Sequence, residues 1–145
     1  MRTLGNLSYM LGVAFLIAAM AVNAIPPKAA LAAPAAIWTT NESCTDPAAQ
    51  DDNEYAVNET VHIRGKNFSA NVQIEWKITG QPGSSDPNTI VASGTDSTNG
   101  DGYFCVGAYT VLPGDDGVYT VDAREVGDNS WKNDNYHVNA APTPV

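Results

Sequence analysis

Eight residues near the middle of the chain, Val72 to Thr79, alternate strictly. Val72, Ile74, Trp76 and Ile78 fall on one side of an extended backbone, and Gln73, Glu75, Lys77 and Thr79 on the other. Successive side chains of a β-strand point to opposite faces, so a period of two describes a strand with one dry face and one wet face. The run before it, Thr60 to Lys66, repeats the pattern with Val61 and Ile63 inward and His62 and Arg64 outward, and a Gly-Lys-Asn turn joins the two. Gly65 ends the first run, where a glycine is expected to adopt a backbone shape that other residues resist.

The remaining chain follows the same grammar. A short strand is expected around Ile37 and Thr39, another from Thr89 to Ser93, and a further one from Val118 to Val126 with Tyr119, Val121 and Ala123 inward. Residues 102–112 are apolar on both faces, which predicts a central or doubly covered strand. Trp131 to Val138 predicts the last strand. Between these runs lie segments rich in Gly, Pro, Asp, Asn and Ser: Cys44 to Glu54, Gly80 to Asn88, Thr95 to Gly102 and Pro113 to Gly117. Such segments are turns and loops. No long amphipathic helix is present. About seven short strands separated by turns predict an all-β sandwich, with a core that includes Val61, Ile63, Ile74, Trp76, Tyr119 and Val121.

The ends of the chain read differently. After Met1-Arg2, the segment from Leu7 to Ile25 is almost entirely apolar, with A-x-A-like sites at 22–24, near its end, and at 30–32, after it. A basic start, an apolar stretch and small residues after it describe a secretory signal peptide over residues 1–32. The same stretch is also long enough to serve as an uncleaved membrane anchor. The sandwich is expected over 33–139, and 140–145 read as a disordered tail or the start of a linker. The full chain has 145 residues and a formal charge of −9. Without residues 1–32, which hold Arg2 and Lys28, five basic and sixteen acidic side chains remain, a formal charge of −11. Such a surface repels phosphate backbones and argues against nucleic-acid binding. Cys44 and Cys105 are the two cysteines. In an exported chain they are expected to pair within one molecule, the alternatives being a buried thiol or an intermolecular bridge.

Three stretches resemble a known family. ETVHIRGKNF up to Phe68, GDGYF from Gly100 to Phe104, and GVYTV from Gly117 to Val121 resemble the immunoglobulin-like domains of bacterial and archaeal secreted and surface proteins. Asn58 stands where those domains usually carry glycine. The resemblance implies an immunoglobulin-like sandwich, with Tyr119 near the place of the tyrosine corner and Trp76 on the third strand. The cysteines depart from the antibody pattern, because Cys44 precedes the second strand and Cys105 lies in the fifth. The resemblance implies a spacer, adhesion module or protein-binding unit.

Sites of chemistry are sparse. Ser97-x-Asn99-x-Asp101-Gly102 imitates the opening of a calcium loop, which makes Asn99 and Asp101 the calcium candidates; Ser97 and Ala108 are wrong for its first and last ligands. Acidic runs at Asp46–Glu54 and Asp115–Asp116 read as solvated loops, the alternative being a weak calcium site built from one of them. His62 and His137 have no partner at metal-ligand spacing. No nucleophile elbow, paired catalytic carboxylates or phosphate-binding glycine loop is present, so no enzyme, catalytic residue or cofactor is expected. Asn41, Asn58 and Asn67 open N-x-[ST] acceptor sequences. Trp38, Tyr109, Trp131 and Tyr136 are candidates for an aromatic binding face or for the core. The expected function is that of a secreted or cell-surface module acting in adhesion or protein–protein interaction, with an extracellular protein or glycan as partner and membrane contact only through an uncleaved N-terminal segment. The alternatives are a structural subunit of a surface layer or filament, and a carbohydrate-binding accessory.

Overall fold

A computed structural model of the protein describes residues 32–46 and 50–139. The expected tail lies outside them, and so does the expected leader apart from its last residue, Ala32. Eight strands follow one another: β1 (Ala36–Thr40), β2 (Glu54–Tyr55), β3 (Thr60–Lys66), β4 (Gln73–Gly80), β5 (Ile90–Ser97), β6 (Phe104–Thr110), β7 (Gly117–Glu125) and β8 (Lys132–Val138). They form a three-stranded sheet, β1-β3-β6, and a five-stranded sheet, β2-β8-β7-β4-β5. Neighbours pair antiparallel except β2, which runs parallel to β8. Among the described residues there is no helix, and so none long and apolar enough to cross a membrane.

The alternation in sequence becomes the alternation of burial. Ile74, Trp76 and Ile78 of β4 are buried, as are Tyr119, Val121 and Ala123 of β7 and Tyr136 and Val138 of β8. Val61 and Ile63 of β3, Ile37 of β1 and Phe104 of β6 are buried in the same cluster from the other sheet. Each Val, Ile or Phe among them, taken from water, contributes about 1.5–3 kcal/mol before entropy is counted. Trp76 needs a gap in its neighbour strand. A Cβ on Gly94 of β5 would lie 2.7 Å from its Cζ2, so a larger residue there would push the indole out.

Several expectations are corrected. Gly65 is not a conformational glycine: it has no positive φ, and a Cβ there would meet Phe104 Cε1 at 2.1 Å and Phe68 Cε2 at 2.8 Å. It is small so that the edge-to-face pair Phe68–Phe104 can close over it. The left-handed turn residue is Asn67, at φ 61°. Asn58, where the resembled pattern has glycine, also takes positive φ, at 72°, which asparagine tolerates better than most residues.

β6 is an edge strand of the smaller sheet, not a central one. Its pairing with β3 shifts between Val61 and His62, which leaves Ala108 unpaired between Gly107 and Tyr109. That bulge resets the alternation, so that Val106, Ala108 and Tyr109 all pack against the core. This is why the run reads apolar on both faces. β5 continues to Ser97 through residues expected to form a loop. As an outer strand it buries little, and its polar residues hid it. The acidic segment before Ala56 contains β2, with Tyr55 wholly buried.

The loops at one end are stapled together. Tyr119 Oη donates to Asp86 Oδ2 at 2.9 Å and lies 2.8 Å from Ser85 Oγ, while Ser85 N donates to Asp116 O at 2.9 Å. These bonds tie the β4–β5 loop to the β6–β7 turn. Asp115, expected to be solvated, is buried and accepts from Tyr109 Oη at 2.8 Å and from Leu112 N at 2.7 Å.

Candidate functional site

The outer face of the three-stranded sheet carries a concave surface. Antiparallel pairing sets Trp38 of β1 opposite Arg64 of β3, and Arg64 opposite Cys105 of β6. These three face away from the core, because Ile37, Thr39 and Ile63 beside them face inward. A transverse row of Trp, Arg and Cys therefore crosses the sheet.

A loop is bound over this row. It leaves β1 at Thr40 and returns beside it, where Asp52 N donates to Thr39 O at 2.8 Å and Thr39 Oγ1 donates to Asp52 O at 2.9 Å. Its neck is thus closed by one backbone–backbone bond and one side-chain–backbone bond. Near its tip Cys44 forms a disulfide with Cys105, with Cα atoms 5.6 Å apart. Arg64 Nη2 donates to Ser43 O and Asp46 O, each at 2.6 Å. Glu42 Oε2 accepts from Gln50 N at 3.0 Å across the loop. The bridge joins a surface loop to a strand's outer face, and among the described residues no disulfide spans the two sheets.

Two depressions result. The larger, about 640 Å³, lies among Trp38, Arg64, Lys66, Asn99, Tyr103 and the Cys44–Cys105 bridge. The second, about 410 Å³, adjoins it between Trp38, Lys66, Gln50 and Asp51. Both volumes fall in the range of small-ligand sites. Trp38 and Lys66 belong to both, with Lys66 Nζ 5.6 Å from the indole centroid, within cation–π range. Tyr103 is exposed. Asn99 Oδ1 accepts from Asp101 N at 2.9 Å and Tyr103 N at 3.0 Å, so its amide N–H groups are what it offers to a ligand. Burial raises the Asp51 carboxyl above its ordinary range, aided by the nearby Asp134 and Asp52.

The other expected residues are dispersed. Asp101 is exposed, and Asn99 serves the turn; among the described residues no three His, Cys, Asp or Glu side chains converge as metal ligands. His62 lies on the outer face of β3, and His137 Nδ1 is 3.3 Å from Glu54 Oε2 at the β2–β8 edge. The four candidate aromatics do not share a face. Tyr136 is buried and stacks on Tyr119 at 5.4 Å, Tyr109 binds Asp115, and Trp131 flanks the far side of the five-stranded sheet. There its ring is covered by Arg124 at 4.2 Å and Lys77 at 4.8 Å, and Arg124 is held by Glu75 at 2.6 Å. The acceptor asparagines Asn41, Asn58 and Asn67 are all exposed. Sequence reasoning missed Lys66 and Tyr103 as site residues and gave Arg64 no role beyond facing outward. No family model matches this chain, and no curated protein matches it.

Proposed function

We propose that this chain is an exported, immunoglobulin-like module that acts by surface contact rather than by chemistry, as an adhesion or interaction unit. The observation that carries the reading is the Cys44–Cys105 bridge. Disulfides persist in oxidising compartments, and this one shapes a surface rather than joining the two sheets. The apolar, basic-started N-terminal segment agrees with export. The strand order supports the immunoglobulin-like part. β3 and β6 share one sheet while β4, β7 and β8 share the other, the division found for the second and fifth against the third, sixth and seventh strands of such sandwiches. In that frame β5 lies beside β4, as the extra strand does in variable-type domains. Polar loops and a strapped cleft on a rigid two-sheet frame are where recognition concentrates.

Cell fractionation with non-reducing peptide mapping tests this. The reading expects the chain outside the cytoplasm, with Cys44 and Cys105 joined in one molecule. Retention inside the cell with both thiols free would sink it.

A further inference from the structure

We infer that the paired depressions around Trp38 bind a neutral oligosaccharide, with the indole as the platform on which a sugar ring stacks. This names a ligand class for the module proposed above and rests on that reading. Three features of the cleft carry it. The first is shape: two adjoining depressions share Trp38 and Lys66, so a ligand of several units can pass over the indole and occupy both.

The second is the kind of polar group on offer. Sugar hydroxyls donate and accept, and the walls hold both partners. Asn99 presents amide N–H groups, Tyr103 a hydroxyl, and Asp51 a carboxyl in the smaller depression. The third is charge. Arg64 Nη2 is engaged by the carbonyls of Ser43 and Asp46, which ties this guanidinium to the loop that walls the cleft. Lys66 is exposed, and the chain as a whole carries a formal charge of −9, which repels polyanions at long range. An uncharged ligand does not meet that repulsion.

The second tryptophan-bearing surface lacks these features. Arg124 and Lys77 cover Trp131, and Glu75 fixes Arg124 in place. Lys66 on Trp38 is different: it is exposed, makes no ion pair among the described residues, and stands farther from its ring. It can swing aside when a sugar arrives.

Titration calorimetry of the full chain tests the inference with cellohexaose and chitohexaose as neutral probes and hexagalacturonate as the acidic one. Binding of a neutral probe is expected, with hexagalacturonate at least about threefold weaker at low salt, where the long-range repulsion is least screened. Trp38→Ala should weaken neutral binding about thirtyfold, as truncation of a central aromatic anchor does. Lys66→Ala should change it by less than about threefold, as a rim contact does, and Trp131→Ala not at all. Thermal melts establish that each variant is folded. No binding of either neutral probe, an effect of Lys66→Ala as large as that of Trp38→Ala, or tighter binding of hexagalacturonate would overturn the inference. A chain found outside the cell with its disulfide formed, yet silent to all three probes, leaves the interaction-module reading standing and removes only the glycan assignment.

Discussion

Replacing Cys44 and Cys105 together by serine deletes a cross-link between positions 61 residues apart. In the chain-entropy treatment, a loop of that length restricts the unfolded chain by about 14 cal/mol/K, or about 4 kcal/mol at 25 °C. The native side of the balance changes less. β3 keeps its backbone pairing to β1 and β6, and the loop's neck stays closed between Thr39 and Asp52. The loss is therefore expected almost entirely through the unfolded state. Urea unfolding followed by tryptophan fluorescence should show stability falling by about 4 kcal/mol and a larger m-value, because the unlinked chain exposes more surface. The melting temperature of a domain this size should drop by about 16 °C. Hydrogen exchange separates the local from the global effect: the Glu42 and Gln50 amides, bonded within the loop, should exchange faster than the lowered global stability explains, whereas β4 and β7 should not. A loss below about 1 kcal/mol with an unchanged m-value would refute the loop-closure reasoning. Selective loss of protection along β3 and β6 would show that the bridge holds the sheet itself.

Three further outcomes follow from particular packing. Gly65→Ala sets a methyl against Phe104 and Phe68 and should cost about 1–3 kcal/mol by overpacking, while Gly107→Ala, whose nearest neighbour is His62 at 3.5 Å, should stay within about 0.5 kcal/mol; equal melting shifts would contradict the close-packing account. Asp115→Ala strands the Tyr109 hydroxyl and the Leu112 amide and should cost about 1–3 kcal/mol, against less than about 0.5 kcal/mol for exposed Asp116→Ala, read by denaturant midpoints. Burial raises the phenols of Tyr55, Tyr109, Tyr119 and Tyr136 above their ordinary value of 10.0. A raised folded value means that stability is intact below about pH 10 and is lost as pH climbs toward the folded values, by up to about 1.4 kcal/mol per pH unit for each phenol. Stability flat from about pH 9 to 11.5 would contradict this, and Tyr136→Phe should shallow the decline.

What could be read from the chain was whatever one dry face imposes. β3, β4 and β7 each bury alternate residues against the opposite sheet, so Val61, Ile63, Ile74, Trp76, Tyr119 and Val121 stand at a spacing of two in the sequence and in the core alike. Where that constraint lapses, the signal goes with it. β5 has an open edge and polar residues, so its second half resembled a loop. β2 is two residues long, and Glu54 pairs with His137, 83 residues away, a distance over which local pattern says nothing. Gly65 illustrates a different limit. Conformation and close packing both select glycine, and only the positions of Phe68 and Phe104 tell them apart.

The cleft lies on the face that alternation leaves unspecified. Its residues come from positions 38, 64, 66, 99 and 103, and outward positions on a strand carry no periodic constraint that marks one as a ligand contact and another as solvated. Yet one clue was present. Once Cys44 is paired with Cys105, the loop after the first strand must pass over the outer face of the strand that holds Cys105. Antiparallel register then fixes which residues lie beneath it: Arg64 beside Cys105, and Trp38 beside Arg64. A cysteine pair plus two strand registers thus locates a surface site that neither composition nor motif reveals. The same reasoning explains why a chain with no catalytic pattern holds a shaped, aromatic-lined cleft. The sandwich supplies the flat face, the disulfide supplies the wall, and Trp38 is left between them as the surface available for contact.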